Sequence, residues 1–198
     1  MRQLGVLMIL LGLVPLAGDT IASPVEPLPS AKASLSAVRA DATGHDLYAS
    51  FDLRDAFTDE IREEIATGLP VTFTHYLEVV RRRTMWFDNT LVSKTISTTV
   101  IYDTLTRHYT LSKRVNDEVT ETSVAVKESD MMRWMTSIER VRLADPTTLE
   151  GIESDSLYIR VKSRLRTKFI LLFVPWAVET RWEKTGLSFS GEGTIRGR

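Results

Sequence analysis

The chain has 198 residues, 43% of them hydrophobic and 26% charged, with 25 Lys and Arg against 26 Asp and Glu and a formal net charge of -1. These are the proportions of an ordinary globular protein; they exclude collagen-like, disordered and disulfide-rich classes, and the balanced charge proposes no nucleic-acid partner. The absence of cysteine removes thiol nucleophiles, thiolate zinc sites, disulfides and the acylated cysteine of a bacterial lipoprotein.

Arg2 precedes the apolar run Leu4 to Leu16, and Thr20-Ile21-Ala22 puts small residues at the two positions a signal peptidase reads. Cleavage near Ala22 is expected, giving an extracytoplasmic protein, periplasmic or envelope-associated. The alternative is a retained anchor, but the run falls short of the ~20 apolar residues that cross a bilayer. The mature chain is therefore expected to carry no transmembrane helix. Pro24, Pro27 and Pro29 then mark an extended spacer over 23–33.

From Leu35 the pattern has period two. Leu35 and Ala37, then Leu47, Ala49, Phe51 and Leu53, alternate with polar residues around a turn at Asp41 to Gly44, which predicts an opening hairpin. Thr58 to Thr67 changes to helical spacing. Ile61, Ile65 and Leu69 lie one turn apart, Asp59 and Glu60 sit at the positive end, and Gly68 with Pro70 stops the helix. Val71, Phe73, His75, Leu77 and Val79 then alternate with polar residues as a strand buried on one face, running out into Arg81, Arg82 and Arg83.

Leu91 to Asp103, Arg107 to Ser112 and Val119 to Val126 predict an antiparallel meander with a turn at Asn116-Asp117. Ser129 is expected to cap a second helix that turns Trp134, Met135, Ile138 and Val141 to the core, with Pro146 beyond its end. Leu157, Ile159, Val161 and Leu165 alternate with Tyr158, Arg160, Lys162 and Arg164, another half-buried strand. Phe169 to Val178 is uncharged, too short to span a membrane, and predicts a core strand with Pro175 at its edge. Leu187 and Phe189 point to a final strand before a frayed tail. The expected fold is β-rich (α+β), an antiparallel sheet or β-sandwich with two short helices packed on it.

Three stretches in this order and spacing are similar to a known family: Gly68-Leu69-Pro70-Val71-Thr72-Phe73 leading to Arg81-Arg82-Arg83 and Trp86; Tyr102-Asp103-Thr104-Leu105-Thr106-Arg107-His108-Tyr109; and Tyr158-Ile159-Arg160-Val161. They resemble the bacterial DUF4390 family over roughly Leu35 to Phe189. The resemblance implies an exported or membrane-associated protein, and it brings no assigned activity and no catalytic residues. The expected organisation is a signal peptide over 1–22, the spacer, one DUF4390-like domain over 34–190, and a tail over 191–198. Within the second stretch, Asp103 and Thr104 suit turn amides, and Tyr102 and Tyr109 suit a cross-strand ring contact. The functional alternative is a recognition loop that includes Thr106, Arg107 and His108.

Little in the sequence proposes chemistry. His45, His75 and His108 have no metal-ligand spacing, and on a strand His75 and Glu78 face opposite ways, which predicts a satisfied, partly buried His75. Gly186-Leu187-Ser188-Phe189-Ser190 lacks the closing glycine of a nucleophile elbow, Glu63 with Glu64 and Glu118 with Glu121 read as solvated pairs, and no phosphate-cradling loop occurs. No metal or cofactor is expected. Two basic features remain. Arg160, Lys162, Arg164 and Arg166 recur at every second residue and predict a ridge on one sheet face, which Arg81, Arg82 and Arg83 would extend. The competing reading is a solvated face balanced by carboxylates on a neighbouring strand. Phe173, Trp176, Arg181 and Trp182 add a mixture suited to a membrane interface. The expected function is a non-catalytic interaction module binding an envelope protein or anionic lipid; the alternative is a hydrolase-like envelope enzyme using dispersed His and carboxylate residues.

Overall fold

The computed structural model describes residues 33–43, 46–83, 85, 87–144, 149, 152, 156–170 and 174–189, with backbone alone at 43, 166–170, 174–177 and 188–189. The expected signal segment, most of the spacer, the tail, and Gly44, His45, Trp86, Pro146 and Phe173 lie outside the described residues.

Two sheets, antiparallel but for one short pair, are packed together. In chain order the elements are β1 (Ser34–Thr43), β2 (Asp46–Arg54), α1 (Asp59–Ala66), β3 (Val71–Arg81), β4 (Asn89–Asp103), β5 (His108–Val115), β6 (Glu118–Ala125), α2 (Glu128–Thr136), β7 (Ser137–Ala144), β8 (Leu157–Ile170), β9 (Val174–Glu179), β10 (Glu183–Gly186) and β11 (Ser188–Phe189). The smaller sheet has the order β11-β1-β2-β7, with β11 parallel to β1. The larger runs β10-β8-β3-β4-β5-β6, and β9 pairs with the second half of β8. Phe51, Leu53 and Ile138 from the small sheet meet Phe73, Leu77, Val161 and Leu165 from the large one in a single buried cluster. Each such side chain withdrawn from water contributes roughly 1.5–3 kcal/mol. Lys94 Nζ on β4 donates to the Arg142 carbonyl on β7 at 2.7 Å and ties the sheets at one margin.

The predicted opening hairpin is present, with one difference. Ala37 is exposed, because the β1–β2 register shifts between Ser36 and Arg39 and Ala37 adopts φ 50°; the bulge passes the inward position from Leu35 to Ala40. Helix α1 forms as its spacing predicts. The Thr58 side chain accepts from the Ile61 N–H at 3.4 Å, Ile61 and Ile65 are buried, and Gly68 at φ 81° ends it. Leu69, however, lies past that left-handed turn, off the helical face, and is exposed.

The second helix is shorter than predicted. Its N-cap is Lys127, with no side-chain cap bond, and Ser129 lies inside the first turn. Met131 and Met135 are buried, but the helix stops at Thr136 and the chain continues directly as β7, so Ile138 and Val141 belong to a strand. The spacing of Ile138 and Val141 suits a helix as well, but both are β-branched and the open edge of β2 supplies the ladder partner that makes the chain extended. Buried Thr98 on β4 donates to the Met135 carbonyl at 3.3 Å and anchors the end of α2. The predicted meander β4-β5-β6 is present, its β5–β6 turn carrying Asn116 at φ 48° and Asp117 at φ 69°, the primed hairpin geometry. The single apolar strand expected over 169–178 is instead the end of β8 and all of β9. No helix among the described residues is long and apolar enough to cross a membrane.

Candidate functional site

Strand β8 has β3 on one side and β9 and β10 on the other, so its two faces follow from alternation. Leu157, Ile159, Val161 and Leu165 enter the core; Arg160, Lys162 and Arg164 project from the outer face of the large sheet. The register sets Glu78 beside Arg160, Tyr76 beside Lys162 and Thr74 beside Arg164 on β3, with Glu179 beside Arg164 on β9.

The ridge is therefore matched by carboxylates. Arg160 donates from Nε at 2.6 Å to Glu78 Oε2. Lys162 Nζ donates to Glu179 Oε2 at 2.8 Å and Arg164 Nε to Glu179 Oε1 at 2.7 Å. The bond from Lys162 foremost, helped by that from Arg164 and by both charges, holds the Glu179 carboxyl below the usual carboxylate range against the desolvation that raises it. Glu179 falls at the end of the stretch that read as apolar, which is why the sequence did not reveal it as a partner. Such half-exposed pairs contribute about 0–1 kcal/mol each, so they fix orientation more than they stabilise.

Aromatic rings interleave with these cations. The Arg160 guanidinium lies 4.8 Å and Lys162 Nζ 5.3 Å from the Trp182 ring centre. Lys162 is also 5.6 Å and Arg164 5.3 Å from the Tyr76 ring centre. Trp182 was anticipated from its composition; Tyr76 was not, although the alternation of β3 turns it outward beside Lys162. At the far end of the same face, Lys184 and Arg82 lie 5.1 and 5.9 Å from the Tyr158 ring centre. Arg81, Arg82 and Arg83 are exposed there, at the end of β3. Arg166 is followed in backbone alone, opposite Val178, and Trp176 likewise, opposite Lys168.

The Tyr102 to Tyr109 stretch is the β4–β5 hairpin. Tyr102 and Tyr109 pair in register with ring centres 4.8 Å apart. Asp103 Oδ1 accepts from the Leu105 and Thr106 N–H groups at 2.8 and 3.1 Å, which holds its carboxyl below the usual range, and Arg107 closes the turn at φ 58°. These residues lie at the opposite end of β4 from Arg81 to Arg83. A family model described as a domain of unknown function, DUF4390, matches residues 30–185.

The chain belongs to the DUF4390 family.

No curated protein and no solved structure matches it. In this DUF4390 chain His75 is wholly buried rather than partly buried, edge-on to Phe51 with ring centres 5.2 Å apart. Nδ1 lies 2.7 Å from Ser163 Oγ, and Nε2 has no hydrogen-bond partner among the described residues. Burial, and secondly the charge of Lys113, push its pKa down to about 3. Glu78 is on the other side of the sheet, as the odd spacing predicts. Glu121, half of the pair read as solvated, accepts from Lys113 at 2.8 Å and from the Trp134 indole at 3.0 Å, and both bonds, Lys113's foremost, lower its carboxyl against desolvation. Among the described residues, no three His, Asp or Glu side chains gather as a metal site.

Proposed function

We propose that this DUF4390 protein is a non-catalytic interaction module of the cell envelope, exported by cleavage near Ala22, that binds another envelope protein through the outer face around Trp182. The observation that carries this reading is the stack of Trp182, Arg160, Lys162, Tyr76 and Arg164. Trp, Tyr and Arg are the residues that dominate protein interfaces energetically. Here Glu78 and Glu179 hold Arg160, Lys162 and Arg164 against the rings before any partner arrives, which lowers the ordering cost of association. Two carboxylates among three cations give a mixed-charge surface, which fits a protein of complementary charge better than a uniformly anionic one. His75, meanwhile, is sealed in the core and reaches no solute.

The test is native mass spectrometry of the protein isolated gently from its host's envelope. A stoichiometric protein adduct is expected, and Arg160→Gln and Trp182→Ala are each expected to weaken it about thirtyfold, as hot-spot truncations do. A bare monomer, or an adduct indifferent to both substitutions, overturns the reading.

A further inference from the structure

The loop between β3 and β4 carries the most exposed aromatic side chain among the described residues. Phe87 is 96% and Met85 88% exposed, two apolar side chains within three residues at the tip of a hairpin. Single exposed apolar residues are common on protein surfaces, but this pair is set beyond a cluster of cations. Arg81, Arg82 and Arg83 precede it in sequence and are exposed. Lys184, also exposed, joins them from β10, sharing the Tyr158 ring with Arg82. Arg81, Arg82, Arg83 and Lys184 form no ion pair with a described residue.

The base of the loop is built. The Arg82 N–H donates to the Ser156 carbonyl at 2.7 Å. The Tyr158 hydroxyl donates to Asp88 Oδ2 at 2.7 Å, and Asp88 also accepts the Arg83 N–H; together with Lys184 and Arg82 these hold its carboxyl below the usual range. The Asp88 carboxylate is thus occupied in closing the stem. The loop thus presents two exposed apolar side chains, with the exposed cations Arg81, Arg82, Arg83 and Lys184 at its base.

We infer that the β3–β4 tip docks on an anionic lipid bilayer, with Met85 and Phe87 entering the headgroup boundary and Arg81, Arg82, Arg83 and Lys184 meeting lipid phosphates. Charge complementarity selects this occupant. An apolar tip alone fits any apolar partner, but cations with no ion-pair partner among the described residues match a surface whose phosphates are dense and laterally mobile, and guanidinium groups bind phosphate in two-pronged fashion. The inference goes beyond the protein-binding face proposed above and uses different side chains, so either can fail while the other stands.

The absence of cysteine permits a clean test on the full chain. An environment-sensitive dye is attached to Met85→Cys, and in a separate sample to Leu105→Cys, which is 92% exposed beyond the opposite end of β4. That strand has 15 residues, so the two dyes lie about 50 Å apart. With phosphatidylglycerol vesicles the dye at 85 is expected to shift to the blue while the dye at 105 does not move, and phosphatidylcholine vesicles leave both unchanged. Each of Arg81→Gln, Arg82→Gln and Arg83→Gln is expected to raise the lipid concentration at half-maximal shift about fivefold, and the triple variant about a hundredfold. The comparison between sites also holds if the N-terminal run anchors the chain, because it asks which end of the strand enters lipid. An unresponsive dye at 85, equal responses at both sites, or a dye at 85 already shielded without vesicles, as when another segment covers the tip, overturns the inference.

Discussion

His75 makes the stability of this protein depend on pH in an interval where few other groups contribute. In the folded chain the ring is neutral, with a pKa near 3; once unfolded it returns to its ordinary 6.5. Between those values the unfolded state binds the additional proton, so stability is greatest above about pH 6.5 and falls as pH falls toward 3. The slope approaches about 1.4 kcal/mol per pH unit, so moving from about pH 7.5 to about pH 5 costs about 2 kcal/mol. Carboxylates lowered in the fold, such as Glu121 and Glu179, act in a separate interval: their stabilisation is complete above their unfolded value of 4.5 and is lost below it. Urea unfolding at several pH values reads the effect directly. His75→Leu paired with Ser163→Ala removes both polar side chains at once and is expected to flatten the dependence above about pH 5. Equal slopes in the parent and the double variant over that interval would refute the buried neutral ring.

Three further outcomes follow from particular residues. Gly68→Ala places a Cβ 3.2 Å from the Tyr102 carbonyl at φ 81° and is expected to cost about 1–2 kcal/mol in chemical denaturation. Met135→Ala empties a fully buried site between α2 and β4 and is expected to cost about 2–5 kcal/mol, read in the same assay. If the N-terminal run is an export signal, the intact mass of the protein recovered from its host begins at Ser23; a mass that retains Met1 to Ala22 contradicts the export reading.

Alternation and capping made much of the fold legible. In β3 and β8 the inward alternate positions are apolar except for His75 and Ser163, and all of them are buried, because a sheet covered on one face requires it. Helix α1 was readable from Thr58, the acidic first turn and Gly68. Less legible were features that depend on a distant partner. Residues 137–144 carry apolar positions compatible with helix or strand, and only the waiting edge of β2 decides for β7. The bulge at Ala37 leaves no mark in an alternation pattern. The same limit applies at the site. The spacing of Arg160, Lys162 and Arg164 established one face, but Glu78 lies 82 residues before Arg160 and Glu179 sits across a hairpin, so their pairing is a matter of register. Tyr76 needed both pieces at once: outward alternation on β3 and adjacency to β8.

On the proposed function, the outer face around Trp182 meets another protein. A photocrosslinking residue in place of Arg181, exposed and next to Trp182, tests it in the living host when compared with the same residue in place of Leu105. One discrete crosslinked protein is expected from position 181 and none from position 105, with the 181 product lost in the Arg160→Gln background. No product from position 181, or the same products from both positions, would contradict it.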